Sequence, residues 1–314
     1  MNSSNELDKE DTKLNKIESK DLLNNLKSKY ILQNVFNYLF KKKFLEIIKY
    51  NKKTKGRINI SIKDYKKCSE LIYSSIEIEI KPVKNKYGKF INIDEGNEKY
   101  YHIYFNDNKE EIKRNNLNKN ENVTKLKIII DYQVKSFYGL FQNWEFIEYI
   151  YFKKFYRNNI NNMGYMFYRC FSLKELNLSN FNTNNVTNMY FMFYGCSSLK
   201  ELNLSNFNTN NVTDMRSMFD GCSSLKELNL SNFNTNNVTN MRSMFFRCSS
   251  LKELNLSNFN TNNVTNMRTM FFQCSSLKEL NLSNFNTNKV SDMSLMFFGC
   301  SEQFQNNIKA KYKI

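Results

Sequence analysis

The stretch LKELNLSNFNTNNVT occurs at residues 173, 199, 225 and 251 letter for letter, and a fifth copy at 277 ends in NKVS. Six cysteines fall at 170, 196, 222, 248, 274 and 300, so every gap is 26 residues. A fixed period of this length is the mark of stacked supersecondary units. One unit cannot bury enough apolar surface to offset the entropy of ordering its own backbone, so units must come in series. Within the unit from 199, Leu199, Leu202 and Leu204 alternate with polar residues in the way a half-buried strand requires. Val212, Met215, Met218, Phe219 and Cys222 follow at offsets that place one apolar stripe on a helix, and Asn and Thr before Val212 supply N-cap chemistry. The predicted unit is a short strand, a polar turn and a short helical return, with Leu199, Leu202, Leu204, Phe207, Val212, Met215, Met218, Phe219 and Cys222 as its core.

The pattern extends upstream. Shifting by one period turns Leu173, Leu176, Leu178 and Phe181 into Ile147, Ile150, Phe152 and Phe155, and Cys170 into Trp144. Val134, Phe137, Leu140 and Phe141 repeat the return stripe, which makes LKIIID at 126–131 the first expected strand. Seven strands about 4.8 Å apart would form a parallel sheet. At the other end, SEQFQNNIKAKYKI reads as a degenerate half-unit whose Lys309, Lys311 and Lys313 discourage edge pairing.

The run LKELNLSNFNTNNVTNMRSMFxxC resembles the BspA-like leucine-rich repeat proteins. The resemblance implies an α/β repeat solenoid, a leucine-rich-repeat-like parallel sheet with short helical returns. It also implies a non-enzymatic scaffold for protein–protein interaction, and it opens the alternative of a surface protein or adhesin. Phe181, Phe207, Phe233, Phe259 and Phe285 stand where many leucine-rich repeats carry an Asn ladder, so an aromatic spine is expected in its place.

Composition narrows the function. The formal net charge is +16, but residues 170–300 carry ten Lys/Arg against eight Asp/Glu and residues 301–314 carry three against one, which leaves +12 in residues 1–169. Lys, Asn, Ile, Phe and Tyr share A/T-rich codons, so the lysines read as a solvated surface and no nucleic-acid partner is expected. The opening MNSSNELDKEDTKLNKIESK has no apolar run of signal type, and no stretch is apolar enough to span a bilayer. A cytoplasmic protein with no membrane span is the expectation, and its cysteines are expected to be reduced and buried. His102 in YYHIYF is the single histidine and no C-x-x-C occurs, so no catalytic, cofactor or metal residue is assigned. Sequons such as Asn185-Val186-Thr187 are by-products of the repeat. Gly195, Gly221 and Gly299 align with Arg247 and Gln273, so that position is not expected to require a positive φ.

In a leucine-rich repeat, the residues between the leucines face a ligand. Here they are Lys200, Glu201, Asn203, Ser205 and Asn206, identical in every full copy. Variation is confined to Tyr190-Phe191, Arg216-Ser217, Arg242-Ser243, Arg268-Thr269 and Ser294-Leu295, and to the two residues before each Cys. The candidate partner-binding residues are therefore Arg216, Arg242 and Arg268 on one edge, with Lys200, Lys226 and Lys252 on the uniform face as the competing surface.

Four segments are expected: a disordered tail at 1–16, a helical segment at 17–71, a small β-rich connector at 72–121 and the repeat solenoid at 122–314. In the helical segment, Leu32, Val35-Phe36 and Leu39 approximate the L-x-x-IF-x-x-L of an F-box. A ubiquitin-ligase substrate adaptor is the alternative function that this resemblance implies.

Overall fold

The computed structural model describes residues 74–312. The expected tail, the helices with their F-box-like Leu32, Val35, Phe36 and Leu39, and Cys68 lie outside the described residues.

The described chain opens with alternating apolar residues that pair antiparallel. β1 (Ile76–Pro82), β3 (Tyr101–Phe105) and β5 (Leu126–Ile130) each bury every second side chain. β2 (Gly88–Lys89) and β4 (Asn116–Leu117) form a separate small ladder. β6 (Ile147–Lys154) pairs antiparallel with β1 on one edge and parallel with β7 (Glu175–Asn177) on the other. The strand order is β3-β5-β1-β6-β7, so one sheet changes from antiparallel to parallel at β6. β1 thus covers the outer edge of the first repeat strand, an edge that would otherwise stay open to foreign strands. LKIIID is β5, paired antiparallel with β1 and β3 rather than acting as the first rung of the parallel ladder.

From residue 134 the chain runs in 26-residue coils, each bonded to the next. The returns are not helical, which corrects the sequence expectation. Among the described residues only Glu98–Tyr100 (3-10) and α1 (Glu302–Tyr312) are helical. In the return of the 199 unit, Met215, Ser217, Phe219 and Gly221 donate their N–H groups to the carbonyls of Asn240, Arg242, Met244 and Phe246 in the next coil, at 3.2, 2.8, 3.0 and 2.7 Å. The intervening Met218, Asp220 and Cys222 close tight turns onto Met215, Ser217 and Phe219. A helix would spend those N–H groups inside its own coil. The turns advance three residues at a time and so reproduce the i, i+3 stripe of a helix without being one.

Two residues per return hold a left-handed backbone. One column runs Gly139, Tyr165, Phe191, Ser217, Ser243, Thr269 and Leu295, with φ between 50° and 58°. The other runs Asn143, Arg169, Gly195, Gly221, Arg247, Gln273 and Gly299, with φ between 55° and 78°. The position occupied by Arg247 and Gln273 therefore does take a positive φ, contrary to the argument from residue type. The inter-coil hydrogen bonds hold two side-chain-bearing residues in a conformation that costs each about 1–2 kcal/mol.

The strand side is weaker than the expected seven-strand sheet. Regular parallel pairs occur at β6–β7 and between β8 (Glu253–Asn255) and β9 (Glu279–Asn281). Between the coils starting at 199 and 225 the ring centroids of Phe207 and Phe233 stand 6.5 Å apart, against 5.7 Å for Phe219 and Phe245 on the return side. Lys226 N–H to Lys200 O has stretched to 3.4 Å there, so a continuous ladder does not close.

Inside, Leu199, Leu202, Leu204, Phe207, Val212, Met215, Met218, Phe219 and Cys222 are buried, as are their counterparts in the 225 and 251 coils. Seven rings from Phe141 through Phe167, Phe193, Phe219, Phe245 and Phe271 to Phe297 stack at 5.5–5.7 Å. Each of the six cysteines is a free thiol whose Sγ donates to the carbonyl of the Phe 29 residues earlier, at 3.0–3.2 Å.

An Asn ladder exists beside the Phe spine rather than being replaced by it. Asn206 Nδ2 donates to Leu178 O and Phe181 O at 2.9 and 2.7 Å, and Asn232 and Asn258 repeat the arrangement. A buried Thr column adds to it: Thr209 Oγ1 donates to Asn234 O at 2.9 Å and accepts from Asn234 N–H at 2.8 Å. One period before Thr183, the fully buried Arg157 takes the column's place and donates Nη1 to Asp131 O. Burial pushes its pKa down to about 10, so it stays a cation at neutral pH.

The tail, expected as a degenerate half-unit, is α1. Phe304 and Ile308 are buried, and Phe304 meets the last stacked ring, Phe297, edge-on. Tyr312 Oη accepts from Leu282 N–H at 3.1 Å and lies 3.3 Å from Leu280 O. The helix closes the strand side of the last coil.

Candidate functional site

Two surfaces compete for a role. On the strand side Lys200, Lys226 and Lys252 stand in one exposed column and Glu201, Glu227 and Glu253 in the next. The polar residues beside them are already used: Asn203 Oδ1 accepts from Ser205 N–H at 3.0 Å, and Asn206 belongs to the inter-coil ladder. Of the five repeated types thought to face a ligand, both asparagines are committed to the fold. The last rows of this face and α1 enclose a groove of about 840 Å³ that includes Lys226, Lys252, Lys278, Phe304, Ile308 and Lys311.

On the return side the three arginines differ in availability. Arg216 Nε lies 3.0 Å from Asp214 Oδ2, and its guanidinium sits 4.8 Å over the Tyr190 ring. Burial pushes the Asp214 carboxyl up, against the opposing pull of the Arg216 N–H and charge. Arg268 Nη1 is 3.8 Å from Asp292 Oδ2 in the following coil. Arg242 is exposed between them. Each Arg extends from a turn pinned by the residue two before it, whose Oδ1 accepts the Arg N–H at 3.0 Å (Asp214, Asn240 and Asn266).

The arginine column continues into an aromatic surface that the sequence reading left without a role. Tyr138, Tyr165, Tyr190 and Phe191 form one cluster, with Tyr165 at 5.4 Å from Tyr138, 5.2 Å from Tyr190 and stacked on Phe191 at 4.9 Å. Tyr168 and Tyr194 stack alongside at 4.7 Å, and Arg169 lies over Tyr168 at 5.2 Å. Gly164 separates Tyr138 from Tyr190 in their common column. Across it the Tyr190 ring reaches Tyr138 at 6.4 Å. Tyr138 and Phe171 remain 45% and 41% exposed. A signal was present in the sequence: Tyr190-Phe191 and the residues before each Cys are where the copies differ.

The same column beyond Tyr194 holds Asp220, then Phe246, Phe272 and Phe298, stacked at 4.7 and 5.1 Å. Asp220 is buried. Burial raises its pKa to about 7, against a Ser217 hydrogen bond and the Arg247 charge.

His102 lies in β3, its Nδ1 3.1 Å from Glu111 Oε1 and its Nε2 3.2 Å from Asp131 Oδ2. Burial lowers its pKa, but the hydrogen bonds and charges of Asp131 and Glu111 outweigh that, and the net shift is upward. The ring thereby joins β3 to the 111 loop and to the residue that follows β5. Among the described residues no cluster of three His, Cys, Asp or Glu is arranged to hold a metal ion, and no helix is long and apolar enough to cross a membrane.

The family model described as "Mycoplasma protein of unknown function, DUF285" matches residues 134–252 and 224–313, together more than half of the chain. The chain belongs to that family. The match begins at Val134, the residue that opens the first return. Among solved structures the chain is similar to a leucine-rich cell surface protein from Faecalibacterium prausnitzii A2-165, at 19% identity and a TM-score of 0.32 over 49% of this chain. The similarity spans 42% of that protein's chain. No curated protein matches.

Proposed function

We propose that this chain is a non-enzymatic, leucine-rich-repeat-like solenoid scaffold of BspA-like type that binds a protein partner through its return edge. The observation that carries the reading is the tyrosine cluster around Tyr138, Tyr165 and Tyr190, continuous through Arg216 with Arg242 and Arg268. Tyr and Arg dominate the energetic centres of protein interfaces, and this edge is where the coils differ from one another. The identical Lys and Glu rows give no means of choosing one register for a globular partner. Arg242, exposed between two acid-paired arginines, is the residue best placed to meet a carboxylate.

The test is affinity capture from native cells with quantitative mass spectrometry, comparing three full-length variants. Tyr138→Ser with Tyr190→Ser, and Arg216→Ser with Arg242→Ser and Arg268→Ser, should each lose the partner while folding normally. Lys200→Glu with Lys226→Glu and Lys252→Glu should retain it. Loss of the partner only in the lysine variant would assign recognition to the strand face and defeat the reading. The adaptor alternative rests on residues 17–55, outside the described residues, and cullin-ligase subunits in the eluate would support it. Labelling of the chain on intact cells by an impermeant reagent would support the adhesin alternative.

A further inference from the structure

The return ladder has a direction. Met267, Thr269, Phe271 and Gln273 give their N–H groups to the carbonyls of Asp292, Ser294, Met296 and Phe298, at 2.9, 3.0, 2.9 and 2.7 Å. The same sense holds at each internal junction, so these N–H groups all point toward the C-terminal coil and the carbonyls that receive them point back. A β-sheet alternates its strand dipoles and keeps little net dipole, whereas aligned peptide units add as they do along a helix. At one position the sense is reversed, Ser291 N–H donating back to Thr265 O at 2.8 Å, but four donors against one acceptor leave the C-terminal end of the ladder with net partial positive charge.

That end is open. Met293, Leu295, Phe297 and Gly299 occupy the donor positions of the last return, and among the described residues their N–H groups meet no acceptor. Leu295 and Phe298 beside them are 49% and 55% exposed. α1 covers the strand side and leaves this row bare. The opposite end is half occupied: of the acceptor-row carbonyls of Ser136, Tyr138, Leu140 and Gln142, Asn92 N–H bonds Leu140 O at 2.8 Å and Asn92 Nδ2 reaches Gln142 O at 3.3 Å.

We propose that the row Met293, Leu295, Phe297 and Gly299 is a docking site for one polypeptide segment that presents carbonyls at alternate residues. Such a segment is a return of this same type from a different repeat chain, and it would lay an aromatic side chain on Phe298. Donor complementarity selects the occupant. Two copies of this end would bring N–H against N–H, and at the acceptor end of a second copy Asn92 already holds Leu140 O and Gln142 O, leaving two carbonyls for four donors, so a repeat chain with all four carbonyls open matches the row and another copy of this chain does not. The Phe246–Phe272–Phe298 stack ends in an exposed ring, and every earlier ring of that trio is covered by the next coil. The site lies one coil beyond Arg268, the last arginine of the proposed partner edge, and its test changes Leu295 and Phe298 while leaving the tyrosines and arginines of that edge in place.

The experiment uses the full-length chain and a fluorescein-labelled peptide with the sequence of residues 262–275, carrying Cys274→Ser, beside a scrambled peptide. Fluorescence anisotropy reads binding, and residue-resolved amide exchange reads its geometry. In the free chain the amides of 293, 295, 297 and 299 should exchange far faster than those of 267, 269, 271 and 273. The peptide should bind saturably and slow those four alternate amides by about tenfold or more. Leu295→Asp with Phe298→Asp, both at exposed positions, should weaken binding by about tenfold or more. The proposal is overturned by absent binding, by equal binding of the scrambled peptide, by binding that leaves the four amides unprotected, or by protection of those amides in the free chain.

Discussion

Replacing Thr209 by valine removes one hydroxyl and keeps the shape of the side chain. Thr209 is 1% exposed, and its Oγ1 satisfies both main-chain groups of Asn234 in the next coil, the carbonyl at 2.9 Å and the N–H at 2.8 Å. The substitution leaves a donor and an acceptor unpaired. Each costs about 1–3 kcal/mol when buried. Asn234 is only half-buried, so water recovers part of that, and the expected loss is about 2–4 kcal/mol. Thr287→Val is the internal control. Thr287 holds the same place in the last coil, half-exposed, with no following coil to bond, and the change there should stay within about 0.5 kcal/mol. Urea unfolding followed by fluorescence of Trp144, the chain's single tryptophan, reads both variants. Repeat arrays can unfold in stages, so midpoints should be compared with Thr209→Ser, which keeps the hydroxyl. Equal shifts for Thr209→Val and Thr287→Val would refute the claim that the Thr column joins neighbouring coils.

Among the six repeat cysteines, native-state alkylation should reach Cys300 first, because burial pushes its thiol up only to about 11, whereas Cys170 through Cys274 are driven higher by deeper burial and should label only on unfolding. His102 has a folded pKa above its ordinary 6.5, so its stabilisation is complete below that value and is lost as pH rises through the folded pKa; His102→Gln should flatten the fall in the unfolding midpoint as pH rises above 6.5. Asp220, raised from 3.8 to about 7 by burial, acts in the same direction: stability should fall as pH rises from 3.8 to about 7 and level off above it, and Asp220→Asn should remove that fall, measured separately from His102→Gln. Gly221→Ala should cost about 1 kcal/mol from its φ of +73° alone, since the added Cβ would meet nothing nearer than Gly195 at 3.4 Å, and a neutral result in thermal melts would show that the left-handed position is relaxed.

The period, the inward residues and the copy-to-copy differences were legible because they follow from repetition and polarity. A 26-residue spacing of Cys, Met and Phe needs no coordinates to show that like residues meet like, and the alternation of Leu202, Asn203 and Leu204 shows which side chains turn inward. The helical reading of the return failed for an equally local reason. Turns that step by three residues give nearly the same apolar spacing as a helix, and only the destination of each N–H distinguishes them. The residues at the Gly195 position misled in the same way, because Arg247 and Gln273 endure a backbone that their own preferences oppose.

The sequence by itself determined that this chain must stack, which side chains face inward and where one coil can differ from another, since these depend on residue type and period. Only the tertiary structure decided that the returns bond between coils, that Asn206 and Thr209 belong to the framework rather than to a ligand face, and that Tyr138 meets Tyr190 across Gly164. Those outcomes depend on which hydrogen-bond partner is nearest across a coil boundary. A chain whose neighbouring coils are 26 residues apart leaves that choice to three-dimensional packing.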